Sequence, residues 1–321
     1  MKLGKVGIIF NGGGFTGAFG VGFIKAIWEK GIRPEHIQGI SVGALSAAKL
    51  LETESIEELE KIWLDIESAR ASSVFNWKDI PVNIIKRASA LYHNGGVLSI
   101  INKINVHKII SSPIELQIVT CNESMGKILS VFSSHDKRFK KDPELLRHVI
   151  LASTSIPGIF PPVTIENEMH SDGIHFHMET MIKSGCDTIF LLLNDQSSSQ
   201  RWDDRLFVIK DFLYEELVSI KLRDILQERP DFEILEGSDP DDPNPFLPPI
   251  INKIKVIGQQ IKSVASSIVT GDDINFVPHR IVVMNTRTPI STLHTTGFEL
   301  GDIKAAIEQG YDQASVLLKK L

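Results

Sequence analysis

Val6-Gly7-Ile8-Ile9-Phe10 is an unbroken apolar run that stops at Asn11-Gly12-Gly13-Gly14. That is the pattern of a buried strand running into a turn. Over 17–30, Phe19, Phe23, Ile24 and Ile27 recur at helical spacing until Gly31, so a helix is predicted there. A second short strand follows over 37–40 and a second helix over 42–51. Strand, helix, strand, helix at this spacing predicts a parallel sheet with helices on its faces. An exposed helix is expected over 55–69, where Glu57, Glu58 and Glu60 crowd the first turns. Stretches 114–120 and 127–132 flank Asn122-Glu123-Ser124 and predict a hairpin. Further strands are predicted over 187–193 and 280–284, and a closing helix over 302–318.

The pattern breaks between about 228 and 250, where Glu-Arg-Pro-Asp and Ser-Asp-Pro-Asp-Asp-Pro-Asn-Pro bar a helix or a central strand. A loop is expected there, with helical segments on either side. One of these carries the stripe Leu206, Ile209, Leu213, Leu217 and Ile220, read as packing on the core. The organisation implied for 1–321 is one domain, with a core over about 5–195 and 280–317 and an α-helical insertion over about 203–272. Inside that insertion Ile250, Ile254, Ile257, Ile261, Val264 and Ile268 fall on one helical face. Between Pro243 and Gly271 there is no acid, while Lys253, Lys255 and Lys262 add positive charge. Residues 246–270 therefore read either as an interfacial helix drawn to anionic lipid or as a helix packed on the core or capping the site.

Composition narrows the function classes. With 42% hydrophobic and 23% charged residues the 321-residue chain is globular, and disorder or collagen-like repeats are excluded. A net charge of −6 argues against a nucleic-acid binder, which needs a basic face. Cys121 and Cys186 cannot form a disulfide framework or a CxxC zinc site, and read as buried thiols in a reducing compartment. The first apolar run is too short for a signal-peptide core, and no stretch reaches the roughly 18 apolar residues of a membrane span. The expectation is a cytoplasmic protein, with peripheral membrane contact left open.

Three motifs bear on chemistry. Gly39-Ile40-Ser41-Val42-Gly43 is a G-x-S-x-G between a predicted strand and a predicted helix, the context in which a nucleophile elbow forms. Its flanking glycines permit a tight turn that lifts the Ser41 hydroxyl, and the helix behind it points free N–H groups at the same place. Asn11-Gly12-Gly13-Gly14-Phe15-Thr16-Gly17 offers successive backbone N–H groups to a phosphate or a developing oxyanion. Gly12, Gly14 and Gly17 fit G-x-G-x-x-G, but no acid ends the second strand, so a dinucleotide site is rejected. No Gly-Lys-Ser/Thr follows, so a P-loop is rejected too. Ser171-Asp172-Gly173 comes after Ser155-Ile156-Pro157-Gly158-Ile159-Phe160-Pro161-Pro162. Its Asp-Gly step reads as a turn. A carboxylate there can act as the base that a nucleophilic serine needs.

In this order the three motifs resemble the patatin-like phospholipase family, which places a glycine-rich loop after its first strand, G-x-S-x-G after its second, and Asp-Gly-Gly/Ala well downstream. The run from Ala152 to Val163 is similar to the stretch that the family places before its Asp. The resemblance covers about 5–195, with a weaker echo over 280–317. It implies a three-layer α/β/α fold with a mainly parallel central sheet. It also implies hydrolysis of lipid carboxylic esters of the phospholipase A type by a Ser41–Asp172 dyad, with no cofactor and no metal needed for the chemistry. Ser41 would be the nucleophile and Asp172 the general base. Gly12, Gly13 and Gly14 would form the oxyanion hole, Gly39 and Gly43 would shape the elbow, and Gly173 would complete the Asp motif. The substrate expected is a phospholipid or another lipid ester. Two positions depart from the pattern: Thr16 stands where the family usually has Arg or Lys, and Ile174 where it has a small residue.

Other readings use the same residues. An acyltransferase would pass the acyl group to an alcohol on the same dyad. A Ser–His–Asp α/β-hydrolase would recruit His279 or His294, but its nucleophile follows a strand deep in the sheet, whereas only one strand–helix unit precedes the strand ending at Ser41. A non-catalytic interaction protein could keep the fold. His170, Asp172, His175 and His177 are dense enough to suggest a metal, and are read instead as a polar loop rim.

Overall fold

Val6–Phe10 carries no polar side chain, is buried along its whole length and forms β1 in the middle of the sheet. The computed structural model describes residues 3–194 except 71–73, 77, 87, 127 and 174–175, and then 233–236, 280–285, 290, 293, 297–319 and 321. After β1 a short 3-10 turn leads into α1 (Ala18–Glu29), followed by β2 (His36–Ile40), α2 (Val42–Thr53) and α3 (Ile56–Ala69). Four shorter-range elements come next: α4 (Asp79–Ile85), α5 (Gly95–Ile101), α6 (Val106–Ser111) and the strand β3 (Glu115–Asn122). Then come β4 (Ile128–Ser133), α7 (Lys137–Lys141), α8 (Pro143–Ser153), β5 (Val163–Ile165) and β6 (Glu168–Asp172). The remaining elements are α9 (Met178–Lys183), β7 (Thr188–Leu193), β8 (Glu233–Glu236), β9 (Arg280–Asn285) and α10 (Asp302–Leu318).

The strands form one sheet in the order β5-β6-β3-β2-β1-β7-β9-β8, with β4 also paired to β3. Pairing is parallel from β3 across to β8. It is antiparallel where β4 and β6 meet β3 and where β5 meets β6. Alternate strand residues face opposite sides. Ile8, Phe10, Ile37, Leu116, Ile118, Phe190 and Leu192 join the main core with the apolar faces of α1, α2, α3, α8 and α10. On the other side α9 lies close enough that a Cβ on Gly7 would sit 2.7 Å from Met181 Cε. The outcome is the expected α/β/α layering around a mainly parallel sheet.

Most predicted elements are present within a residue or three of their expected limits. Three expectations need correction. The segment over 55–69 is half core, with Leu59, Trp63 and Ile66 buried beneath its acidic outer face. The loop expected over 228–250 contains β8, at the sheet edge next to β9, where a strand needs a ladder on one side only. Asp172 ends strand β6, so the Asp-Gly step closes a strand of a β5–β6 hairpin where a simple turn was expected. The helical reading of 203–272 and the apolar face over 246–270 lie outside the described residues. Cys121 and Cys186 are buried and outside any disulfide. No helix among the described residues is long and apolar enough to cross a membrane.

Candidate active site

Parallel strands expose the N–H ends of their following helices at one edge of the sheet, and the three motifs meet there. Ser41 sits directly after β2 and caps α2 with φ 56° and ψ −131°. A non-glycine residue with positive φ costs on the order of 1–3 kcal/mol. The turn is held from both sides. A Cβ on Gly43 would collide with the carbonyl of Phe10 and lie 2.6 Å from that of Asn11, and one on Gly39 would lie 2.5 Å from Ala44 Cα. Ser41 is buried, 6% exposed.

The glycine loop runs beside it. Gly13 and Gly14 adopt φ of 135° and 59°. Gly12 approaches so closely that a Cβ there would be 3.0 Å from Ser41 Cβ and 3.7 Å from its Oγ. The N–H groups of Gly12, Gly13 and Gly14 find no acceptor among the described residues. The loop is tied to the end of β7: Asn194 Nδ2 donates to the carbonyls of Asn11 at 3.0 Å and Gly12 at 3.1 Å. Thr16 Oγ1 lies 2.8 Å from the Gly13 carbonyl and 2.9 Å from that of Asn194. At the position of the family's usual cation this chain has a buried hydroxyl that pins the loop.

Asp172 comes from the other side. Ile40 is level with Val119 on β3, and Thr120, one residue further, is level with Asp172 on β6. Ser41 and Asp172 therefore flank the same point of β3 from opposite sides. Asp172 is 4% exposed. Gly173 crosses over β3, where a Cβ would lie 2.6 Å from the Val119 carbonyl. On the same face as Asp172, the buried His170 ring has Nδ1 at 2.9 Å from Thr120 Oγ1. Burial pushes the His170 imidazole below its ordinary pKa, which leaves it uncharged near neutral pH. Ile174 and His175 lie outside the described residues, as do His279 and His294. Among the described residues no group of three or more His, Cys, Asp or Glu is arranged to hold a metal ion.

One part of the site lies at the start of the run from Ala152 to Val163, to which the sequence assigns no role of its own. Ser153, at the C-terminal end of α8, accepts a hydrogen bond from the Ser41 N–H at 2.9 Å and donates to the Val119 carbonyl at 2.7 Å. Two residues on, the Ser155 carbonyl accepts from the Asp172 N–H at 2.9 Å. The buried segment 153–155 thus connects the backbone of Ser41 to that of Asp172. In the sequence the Ser-Thr-Ser step opens the run that resembles the family's stretch before its Asp, but its bonds to Ser41 and Asp172 leave no local signal, and it reads as an ordinary helix terminus.

The family profile described as patatin-like phospholipase matches residues 8–175. Triacylglycerol lipase 4 of Saccharomyces cerevisiae is 27% identical over 173 residues, which cover 50% of this chain and 18% of that lipase. Triacylglycerol lipase 5 of the same yeast is 24% identical over 187 residues, covering 54% of this chain and 24% of its own length. This chain thus spans a quarter or less of the length of these two curated relatives. Among solved structures, VipD from Legionella pneumophila aligns with a TM-score of 0.45 at 15% identity, over 99% of this chain and 67% of that one. The profile match extends over just over half of the 321 residues, from β1 through the strand that ends in Asp172, and by that match the chain belongs to the patatin-like phospholipase family.

Proposed function

We propose that the protein is a serine lipid acyl hydrolase that cleaves carboxylic esters of membrane lipids, as a phospholipase A does, through Ser41 and Asp172. The observation that carries this reading is the strained Ser41 elbow joined to the Asp172 strand through 153–155. The Asp172 carboxylate takes the Ser41 Oγ proton, and Oγ attacks the acyl carbonyl carbon. The oxyanion is met by N–H groups of Gly12–Gly14 and by the N-terminal end of α2. The tetrahedral adduct collapses to an acyl-enzyme, and the departing alcohol takes the proton back from Asp172. Asp172 then deprotonates water, which attacks the acyl carbonyl and releases the acid and Ser41. None of these steps calls on a metal or cofactor.

The same reading has the chain acting as one domain in the cytoplasm, peripheral at a membrane, with 246–270 contributing lipid contact. The names of the two yeast relatives make triacylglycerol the ester to test alongside phospholipid. The test is labelling by a fluorophosphonate together with turnover of mixed lipid substrates. Ser41→Ala should remove both label and turnover, and Asp172→Asn should reduce turnover by at least about a thousandfold with the protein still folded. Turnover that survives either change would sink the dyad.

A further inference from the structure

A helix at a protein surface ordinarily turns its aliphatic side chains inward. In α4 the reverse holds: Ile85 is 81% exposed, Ile84 63% and Val82 44%, with Leu91 close behind in sequence at 39%. The residue that anchors the helix is polar. Asn83 is buried and donates from Nδ2 to the Leu91 carbonyl at 3.0 Å. Exposed Lys78 and Lys86 stand at either end of α4, and neither forms an ion pair among the described residues. The one acid of the helix, Asp79, is half-buried and engaged: its carboxylate accepts from Asn76 Nδ2 at 3.1 Å and from the His93 N–H at 3.2 Å. An outward face of aliphatic side chains rimmed by cations is the chemistry of a surface that meets anionic lipid.

The face also lies where such contact would serve the site. The N–H groups of Leu91 and Tyr92 donate to the carbonyls of Gly158 and Ile159 at 3.0 and 2.9 Å. That fastens it to the loop running from Ser155 towards Asp172. Phe75, four residues before α4, stacks on Phe160 of the same loop at 5.3 Å between ring centroids and meets Tyr92 at 5.1 Å. It also touches Phe15, which follows the glycine loop, at 5.8 Å. An aromatic cluster therefore joins the segments on either side of α4 to the loop before Asp172 and to the residue that follows the glycine loop.

We infer that Val82, Ile84, Ile85 and Leu91, with Lys78 and Lys86, form the surface on which this protein seats itself on an anionic lipid bilayer. The inference rests on the lipid-ester reading above and names the interface from which that substrate would be drawn. The experiment is flotation of the full chain with phosphatidylcholine vesicles, with and without phosphatidylserine. Wild type should float with the anionic vesicles. The Ile84→Asp/Ile85→Asp pair should lower the bound fraction by roughly tenfold or more, and the Lys78→Glu/Lys86→Glu pair should abolish the preference for phosphatidylserine. Both pairs should keep the melting temperature and the turnover of a water-soluble short-chain ester. If the aspartate pair melts early, Ile85→Ser replaces it in the same comparison. Ser41→Ala should float like wild type, so a protein that floats but cleaves no lipid sinks the hydrolase reading alone. Equal flotation of wild type and the isoleucine variants, failure of wild type to bind either vesicle, or a wild-type dimer that these variants split would overturn the docking surface.

Discussion

Ser41 keeps a backbone conformation that serine avoids, and its neighbours show what holds it there. Its N–H has an acceptor in Ser153, whose own hydroxyl proton goes on to Val119. Ser153→Ala would leave a buried donor and a buried acceptor unsatisfied, at a cost of about 1–3 kcal/mol. Because the loss falls on the elbow and not on the substrate pocket, kcat should drop by about tenfold while KM stays within about twofold. Ser153→Thr, which keeps the hydroxyl, should recover a good part of the loss. A Ser153→Ala protein with unchanged kcat would reduce this serine to packing. His170 provides the complementary case. It is uncharged and lies beside Asp172, yet it is bonded to Thr120, so His170→Gln should retain turnover within about tenfold. Steady-state kinetics on a soluble ester reads out both variants.

At the scale of elements, helix ends decide what stays together. The N-terminus of α10 begins after Gly301, with no side chain of its own to cap it. Glu67 reaches across from α3, and its Oε1 accepts from the N–H groups of Gly301 and Ile303, both at 2.9 Å. A buried carboxylate at this point satisfies orphan donors and complements the helix dipole. Glu67→Gln should cost about 1 kcal/mol and Glu67→Ala about 2 kcal/mol in urea unfolding. Activity per folded molecule should not change, since the Glu67 carboxylate bonds to the start of α10 and not to the loops that carry Ser41 and Asp172. A fall in kcat without a fall in stability would contradict that separation.

For the molecule as a whole, the two ends of the sheet do different work. The C-terminal ends of β1 and β2 bring the glycine loop and Ser41 to the site. At the opposite end His36 opens β2 and Glu115 opens β3, paired in register. His36 Nδ1, at 2.7 Å, holds the Glu115 carboxyl down at about 2, with Ser133 Oγ as a second donor. A depressed carboxyl stabilises the fold fully above its ordinary value near 4.5, and that contribution is lost as pH falls from there towards 2. The contribution is no more than about 3 kcal/mol. Glu115→Gln should therefore lower stability at neutral pH and flatten the pH dependence of unfolding below about 4.5, while ester turnover stays as in wild type. An unaltered acid limb in the variant would show that other carboxyls govern it.

The local part of this protein is legible in its sequence. The apolar run of β1, the helical spacing of Phe19, Phe23, Ile24 and Ile27, and the glycines around Ser41 are short-range signals, because strand burial, helix faces and tight turns depend on neighbours a few residues apart. The order of the glycine loop, Ser41 and Asp172 was legible for the same reason. What is spread over distance was not. The pairing of Thr120 with Asp172, the route from Ser41 through 153–155 to Asp172, and the cap that Glu67 places on a helix 234 positions away depend on which strands and helices become adjacent. Nor could the pattern of α4 tell that Ile84 and Ile85 face outward, since the same spacing serves a buried helix equally well. Tertiary packing decides these points, because a hydrogen-bond partner or a covering surface is a matter of position in space, and a chain of 321 residues leaves that open until the sheet has assembled.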